Sequence, residues 1–372
     1  MKTTMFNSYL LVETDLLRKN ISSIITSLCG KTELIPVLKD NAFGLGLIEV
    51  AKICTEFNEI KTIALAQIGE AIILRRAGIK SELLVMGSYP DFLNELAIEN
   101  DITVTISRPK QLAILAAHAR VKGKTVKTEI MIETGLHRTG FTSGDELQVF
   151  IDEFKEAGSS IEICGVYSHF ADTNNKERTK SQYQTFINSV EQLNSFGIFP
   201  NRKHISSSAG YEEYSEYNLS AVRIGRRLYM DSPKMNNKEV EEVASFRSYI
   251  TNIRNMKNGD TLGYGTKYFC DRDSIIASVG VGYGDGLNEA LVKVKAPVLV
   301  NGKVARIMGC CMDQCQIDIT DIVCKEGDEV TFFGRDSNGM FLSSQTVAAL
   351  VGDNEGCGLT TALGMRVERI YI

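Results

Sequence analysis

The chain has no stretch of about 18 apolar residues, the length a helix needs to cross a bilayer, so no membrane span is expected. It has no surplus of positive charge. The formal net charge is −5 and no basic cluster interleaves with aromatics, which argues against non-specific nucleic-acid binding. Asn7, Ser8, Glu13 and Asp15 interrupt the first apolar residues, so no signal-peptide core is expected. Histidine is scarce, with four in 372 residues. The nine cysteines are odd in number and scattered. Cys310, Cys311 and Cys315 lie close together, but no second cysteine pair or neighbouring histidine completes a zinc pattern, and no metal is expected. Reduced thiols fit a cytoplasmic enzyme. No repeat at solenoid periods and no low-complexity linker occurs.

The composition that is present, 44% hydrophobic and 23% charged, is that of a globular protein with a sizeable core. Its length suits one large domain or two ordinary ones. Short apolar or β-branched runs recur at 34–38, 62–66, 83–87, 102–106, 129–132, 161–167, 204–207 and 222–224. Segments of helical period separate them, such as 69–78, ending in a glycine stop, and 182–193, apolar at Phe186, Val190 and Leu193. Eight strands alternating with helices predict an α/β fold, a (β/α)8 TIM-type barrel, over residues 1–243. The first few residues are free to join the second domain. After 243 the pattern becomes short strands and Gly-rich turns, at 274–281, 297–308 with a hairpin at Asn301-Gly302, 315–319 and 329–334. A helix over 343–351 and a last strand over 366–371 complete a mostly β domain, 244–372.

In such a barrel, chemistry gathers at the C-terminal ends of the strands. Lys39 comes after the apolar run Leu34-Ile35-Pro36-Val37-Leu38 and opens into Asn41-Ala42-Phe43-Gly44. Burial at a strand end disfavours a charged amine, and a neutral amine forms a Schiff base with a carbonyl cofactor. A lysine snorkelling to water is the plainer reading of the same run. Arg138 follows strand five, His169 ends strand six, Ser207 and Ser208 follow strand seven, and Arg223-Ile224-Gly225 ends strand eight. The stretches after strands seven and eight commonly bind phosphate, and a serine hydroxyl with Gly-backed N–H groups suits that task. Taken singly, His169 reads as a core histidine and Arg223 as an ion-pair partner. Their placement on one face is what points to a site.

Four motifs in order then carry a resemblance. Val37-Leu38-Lys39-Asp40-Asn41-Ala42-Phe43-Gly44 resembles the cofactor-lysine motif of the alanine racemase family. Leu262-Gly263-Tyr264-Gly265 resembles the segment with its second base, and Val281-Gly282-Tyr283-Gly284-Asp285-Gly286 its Gly-Tyr-Ala-Asp-Gly signature. Met308-Gly309-Cys310-Cys311-Met312-Asp313-Gln314 resembles its Ser-or-Cys-Met-Asp-Gln signature.

The resemblance implies an amino-acid racemase with pyridoxal 5'-phosphate held by Lys39 as a Schiff base. Lys39 and Tyr264 would serve as bases on opposite faces of the substrate Cα, with His169 contacting Tyr264. Arg223 would face the pyridine nitrogen and keep it unprotonated. Ser208, Gly225 and Arg226 would hold the phosphate. Arg138 and the Met312 N–H would hold the substrate carboxylate, Tyr283 would line the entrance, and Met365 would stand beside substrate. It also implies a homodimer whose sites are shared, Tyr264 and Met312 acting across the interface. Several positions depart from the family pattern. Phe43 and Met365 stand where tyrosines are usual, Met131 where many members have a lysine, Arg226 where an apolar residue is usual, Ser207 for Asn and Glu133 for Asp. Asp40 and Leu45 are also atypical. These departures leave open an amino acid other than alanine, serine or a larger one. A barrel-type decarboxylase and a non-catalytic cofactor carrier remain as alternatives.

Overall fold

The computed structural model describes residues 4–230, 240–263, 268–353 and 356–372. The chain begins with strand β1 (Ser8–Val12) and enters the first domain through the helix Thr14–Ser27, which buries Leu17, Ile21 and Ile24. Eight parallel strands come next: β2 (Glu33–Pro36), β3 (Thr62–Leu65), β4 (Glu82–Val85), β5 (Thr103–Ile106), β6 (Val126–Met131), β7 (Ile161–Tyr167), β8 (Arg202–His204) and β9 (Ala221–Ile224). β3 to β8 form one ladder and β2 pairs with β9 in another. Two links close the cylinder. Val37 bridges Ala64 between β2 and β3, and Arg223 N donates to Ser206 O (3.1 Å) between β8 and β9. The expected (β/α)8 barrel is therefore present. Its strands are short and nearly all buried, as expected of parallel strands covered by helices on the outside and packed side chains within.

The second domain is antiparallel. Its strands are β10 (Ala244–Met256), β11 (Thr261–Leu262), β12 (Tyr268–Phe269), β13 (Ser274–Val279), β14 (Pro297–Val300), β15 (Lys303–Cys310), β16 (Cys315–Asp318), β17 (Glu329–Arg335), β18 (Phe341–Leu342) and β19 (Glu368–Tyr371). β10 pairs with both β13 and β17, so the order β17-β14-β15-β16-β13-β10 closes on itself. β1 lies antiparallel on β10 and parallel to β19, so the start of the chain belongs to this sheet. The hairpin between β14 and β15 turns at Asn301 (φ 49) and Gly302 (φ 74), the left-handed pair a two-residue turn requires. The long strand β10 has no counterpart among the predicted runs. Its Ser245 and Ser248 are buried and break the apolar alternation, yet both are bonded: Ser248 Oγ donates to Asn7 O (2.9 Å) and Ser245 Oγ accepts from Arg335 N (2.9 Å). No helix among the described residues is long and apolar enough to cross a membrane.

Candidate active site

A cavity of about 670 Å³ opens at the C-terminal end of the barrel. Lys39, Arg138, His169, Ser208, Arg223, Gly225 and Arg226, read from the sequence as site residues, all line it. Positions 39 to 226 are distant in sequence. The barrel brings them together because each follows a strand and every strand points the same way.

Lys39 corrects the expectation of a buried strand end. β2 stops at Pro36, and the Lys39 side chain is exposed in the single chain, with Nζ 6.0 Å from the Phe43 ring centroid. Its placement comes from the backbone immediately after it. Asp40, Asn41, Ala42 and Phe43 have φ of 56, 54, 53 and 55°, and Gly44 has 86°. A left-handed turn of four non-glycine residues costs about 1–2 kcal/mol per residue, so its surroundings must impose it. Asp40 N donates to Glu70 Oε1 (2.6 Å), Leu47 N to Asn41 Oδ1 (2.8 Å) and Arg369 Nε to Gly44 O (2.9 Å). The turn carries Phe43 against Gly225, where an added Cβ would stand 2.7 Å from the ring, and against Tyr229 (centroids 5.5 Å apart).

Arg223 is buried and makes its bonds through two nitrogens. Nη1 donates to His204 Nδ1 (2.6 Å) and His204 O (3.2 Å). Nη2 donates to Ser168 O (2.7 Å), Ile205 O (3.1 Å) and His169 Nδ1 (3.1 Å). Nε–H makes no hydrogen bond among the described residues, so one donor of a cavity-lining cation is left for a ligand. Burial lowers Arg223 to about 10, still a cation at neutral pH. Burial, then the charges of Arg223, Arg138 and Lys39, push His169 down to about 3, so its ring is neutral. Arg138 is exposed, and its guanidinium has no partner among the described residues; only its backbone N–H is bonded, to Glu133 Oε2 (3.2 Å).

On the far side, the N–H groups of Ser208 and Ala209, at the start of the helix Ser208–Glu213, have no acceptor among the described residues. Ser208 Oγ lies 3.4 Å from Gly225 N. Orphan N–H groups at a helix start, a hydroxyl and the cation Arg226 are a donor set for a phosphate. With Lys39 for a carbonyl and the spare Arg223 Nε–H for an unprotonated ring nitrogen, the residues fit pyridoxal phosphate.

Tyr283, Met312 and Met365 are not in this cavity. They are 43%, 54% and 97% exposed and lie together on the β domain. Tyr283 N donates to Cys311 O (3.1 Å) and Gly284 N to Met312 O (2.9 Å). Arg366 ties the loops, with Nε 3.0 Å from Asp285 Oδ1 and Nη1 2.7 Å from Asp313 Oδ1. Tyr264 and Gly265 lie outside the described residues. Sequence reasoning missed Met86, Gly87, Ser88, Tyr167, Cys357 and Thr361 in the lining. Tyr167 was findable as the last residue of its strand; the others sit in loops or a short helix with no motif. Among the described residues, Glu82, Glu129 and Cys164 are near enough to share an ion, but Arg202 Nη1 already bonds both carboxylates at 2.8 Å.

A barrel with a lysine shortly after its first strand, unbonded N–H groups and a hydroxyl after its seventh, and a buried arginine with a spare donor in the same cavity fits a class: pyridoxal-phosphate enzymes of the barrel type. The comparisons narrow it. The family model for the alanine racemase N-terminal domain matches residues 12–233, and that for the alanine racemase C-terminal domain matches residues 243–371. The chain belongs to the alanine racemase family, and is thus an amino-acid racemase with pyridoxal 5'-phosphate as cofactor. It is 33% identical over 356 residues to alanine racemase 1 of Clostridium acetobutylicum, covering 92% of this chain and 90% of that one. It is similar to the crystal structure of alanine racemase from Bacillus anthracis with bound L-Ala-P (TM-score 0.91, 30% identity, 100% and 96% coverage). A Clostridium difficile alanine racemase gives a TM-score of 0.91 at 28% identity, covering 100% of this chain and 97% of that one. The decarboxylase and carrier alternatives gain no support from these relatives.

Proposed function

We propose that this protein interconverts L- and D-alanine by a two-base mechanism, as a cytoplasmic homodimer with shared active sites. The observation that carries the reading is the convergence of Lys39, the unpartnered Arg138 guanidinium and the spare Arg223 Nε–H on one cavity. When bound, the cofactor supplies a ring system that accepts electrons from the substrate Cα and makes its proton acidic. The rest falls to the chain. Arg138 and the Met312 N–H, which makes no hydrogen bond among the described residues, hold the substrate carboxylate. Lys39 Nζ takes or returns the proton on one face of Cα, and the Tyr264 hydroxyl serves the other. A tyrosine near its ordinary value of 10 needs a helper to act near neutrality, and His169, neutral and bonded to Arg223, is that helper. Arg223 stays protonated and holds the ring nitrogen unprotonated, which disfavours transamination.

Serving both faces of one Cα needs a second chain. Met312 and Tyr283 stand exposed on a patch that is separate from the cavity of their own chain, and a C2 partner presenting that patch to the cavity satisfies both. Ser208, Gly225 and Arg226 hold the phosphate. Phe43 supplies no hydroxyl to that site, and Met365, exposed on the same β-domain patch, would reach the pocket from the partner as a flexible apolar side chain that leaves room for amino acids other than alanine.

The test is chiral chromatography of purified protein incubated with a panel of L-amino acids. D-alanine should form, with a measurable D-form of at least one other amino acid. Borohydride reduction and peptide mass mapping should place the cofactor adduct on Lys39; an adduct on Lys31 or Lys52 would overturn the assignment.

A further inference from the structure

Below the cavity the barrel interior holds a chain of charged groups. Glu129 on β6 is fully buried, with Oε1 accepting from Arg202 Nη1 (2.8 Å) and Oε2 2.7 Å from His204 Nε2. His204 Nδ1 accepts from Arg223 Nη1 (2.6 Å). The glycine at 165 makes the space, since an added Cβ there would stand 2.5 Å from Glu129 Cδ and Oε1. The His204 ring also stacks on Tyr167 (centroids 5.0 Å, planes 7° apart), which fixes its plane.

The protons on this chain are determined by its ends. A guanidinium has only donors, so His204 Nδ1 must present a lone pair to it. The ring is neutral, because burial pushes His204 down to about 4. Its one proton is then on Nε2, facing a carboxylate that has only acceptors when ionised. Against the cost of burial, His204 and then Arg202 hold that carboxyl below its usual range, so it is ionised. An apolar residue at 129 would leave the buried Nε2–H without an acceptor, and an amide could turn a competing donor toward it.

We propose that Glu129 is a positioning residue for the racemase: it fixes His204 in the Nε2–H tautomer, and His204 thereby holds the Arg223 guanidinium in register with the cofactor's ring nitrogen. The inference rests on the reading that Arg223 faces that nitrogen. Glu129 touches neither cofactor nor substrate and acts only through His204, as carboxylates behind ligating histidines do elsewhere.

Glu129→Gln makes a sharp test. Arg202 Nη1 demands an oxygen at the Oε1 position, which turns the amide NH2 toward His204 Nε2. That nitrogen must then be bare, so the proton moves to Nδ1 and meets the Arg223 N–H donor to donor. With four histidines in the chain, ring-nitrogen NMR of the labelled holoenzyme can assign each tautomer. The wild type should show His204 protonated at Nε2 alone; Nδ1–H or a doubly protonated ring overturns the proposal without any variant. E129Q should show the inverted tautomer. It should also lose cofactor to transamination, counted by mass per racemisation turnover, about 10–100 times more often than wild type, with KM for alanine within about twofold. Glu129→Asp keeps the acceptor charge and should recover the wild-type tautomer. Unchanged tautomer and unchanged transamination in a folded E129Q sink the idea, and if E129Q does not fold, the wild-type tautomer decides. Failure of the racemase reading would appear instead as a wild type that makes no D-alanine and carries no Lys39 adduct, whatever the tautomer.

Discussion

Lys39→Ala and Tyr264→Phe should each be nearly inactive alone and active when mixed. The expectation starts from where the parts lie. Lys39 is exposed toward a cavity lined by the barrel and by Cys357 and Thr361, while Met312 and Tyr283 are 54% and 43% exposed on a patch of the β domain that does not line the cavity of its own chain. If the partner chain supplies that patch together with Tyr264, each site takes one base from each subunit. A positioned base contributes roughly 10²–10⁴ in rate, about 3–5 kcal/mol, so each single variant falls to a small residue of activity. Subunit exchange then sorts the defects. In a mixed dimer one site carries both substitutions and the other carries neither. Random exchange of equal amounts makes about half the dimers mixed, and one of the two sites in each is intact, so about a quarter of wild-type activity should return. The assay is D-alanine formation before and after co-incubation, with exchange followed by native mass spectrometry of tagged subunits. Exchange confirmed by mass, with activity staying at the level of the parents, would place both bases on one chain and refute the shared-site architecture.

Met365→Tyr restores an aromatic ring and a hydroxyl at a side chain that is 97% exposed, and should raise the preference for alanine over serine by tens of fold, within the 1–3 kcal/mol that pocket contacts supply; an unchanged ratio of kcat/KM values removes Met365 from specificity. Arg138→Leu should raise KM for alanine at least about tenfold, as expected for losing about 1.5–3 kcal/mol of charge-assisted bonding, while the Lys39 adduct still forms; unaltered KM would deny it the carboxylate. Gly225→Ala sets a Cβ 2.7 Å from the Phe43 ring and should lower stability by about 1–3 kcal/mol and loosen the cofactor, read from thermal midpoint and cofactor dissociation. Burial pushes His169 and His204 down to about 3 and about 4, below the unfolded value near 6.5, so the unfolded chain binds more protons. The stability they contribute is complete above about pH 6.5 and falls toward pH 4 by up to about 1.4 kcal/mol per unit for each, and His169→Gln should flatten the fall in thermal midpoint; an identical slope in that variant would show that His169 is not held neutral.

Sequence periodicity found seven of the eight barrel strands, because parallel strands buried on both faces read as short apolar runs whatever surrounds them; β8 is Arg202-Lys203-His204, and the run read at 204–207 shares only His204 with it. The motifs around Lys39, Tyr283 and Met312 were equally local, since each needs only a few adjacent residues to be recognised. The long strand β10 escaped because its buried Ser245 and Ser248 are satisfied by bonds to Arg335 and Asn7, partners that no window of residues contains. The left-handed turn after Lys39 escaped for the same reason. Asp40, Asn41, Ala42 and Phe43 do not favour positive φ as a run, and Glu70 and Arg369 help to hold it from elsewhere in the chain. Tertiary structure alone decided that Lys39 is exposed at a cavity rather than buried at a strand end, and that Met365 stands outside that cavity. It alone built the line from Arg202 through Glu129 and His204 to Arg223, residues of three strands and up to 94 positions apart. A strand's pattern states only which faces are apolar. Which side chains share a layer depends on barrel closure and register, and those belong to the whole chain.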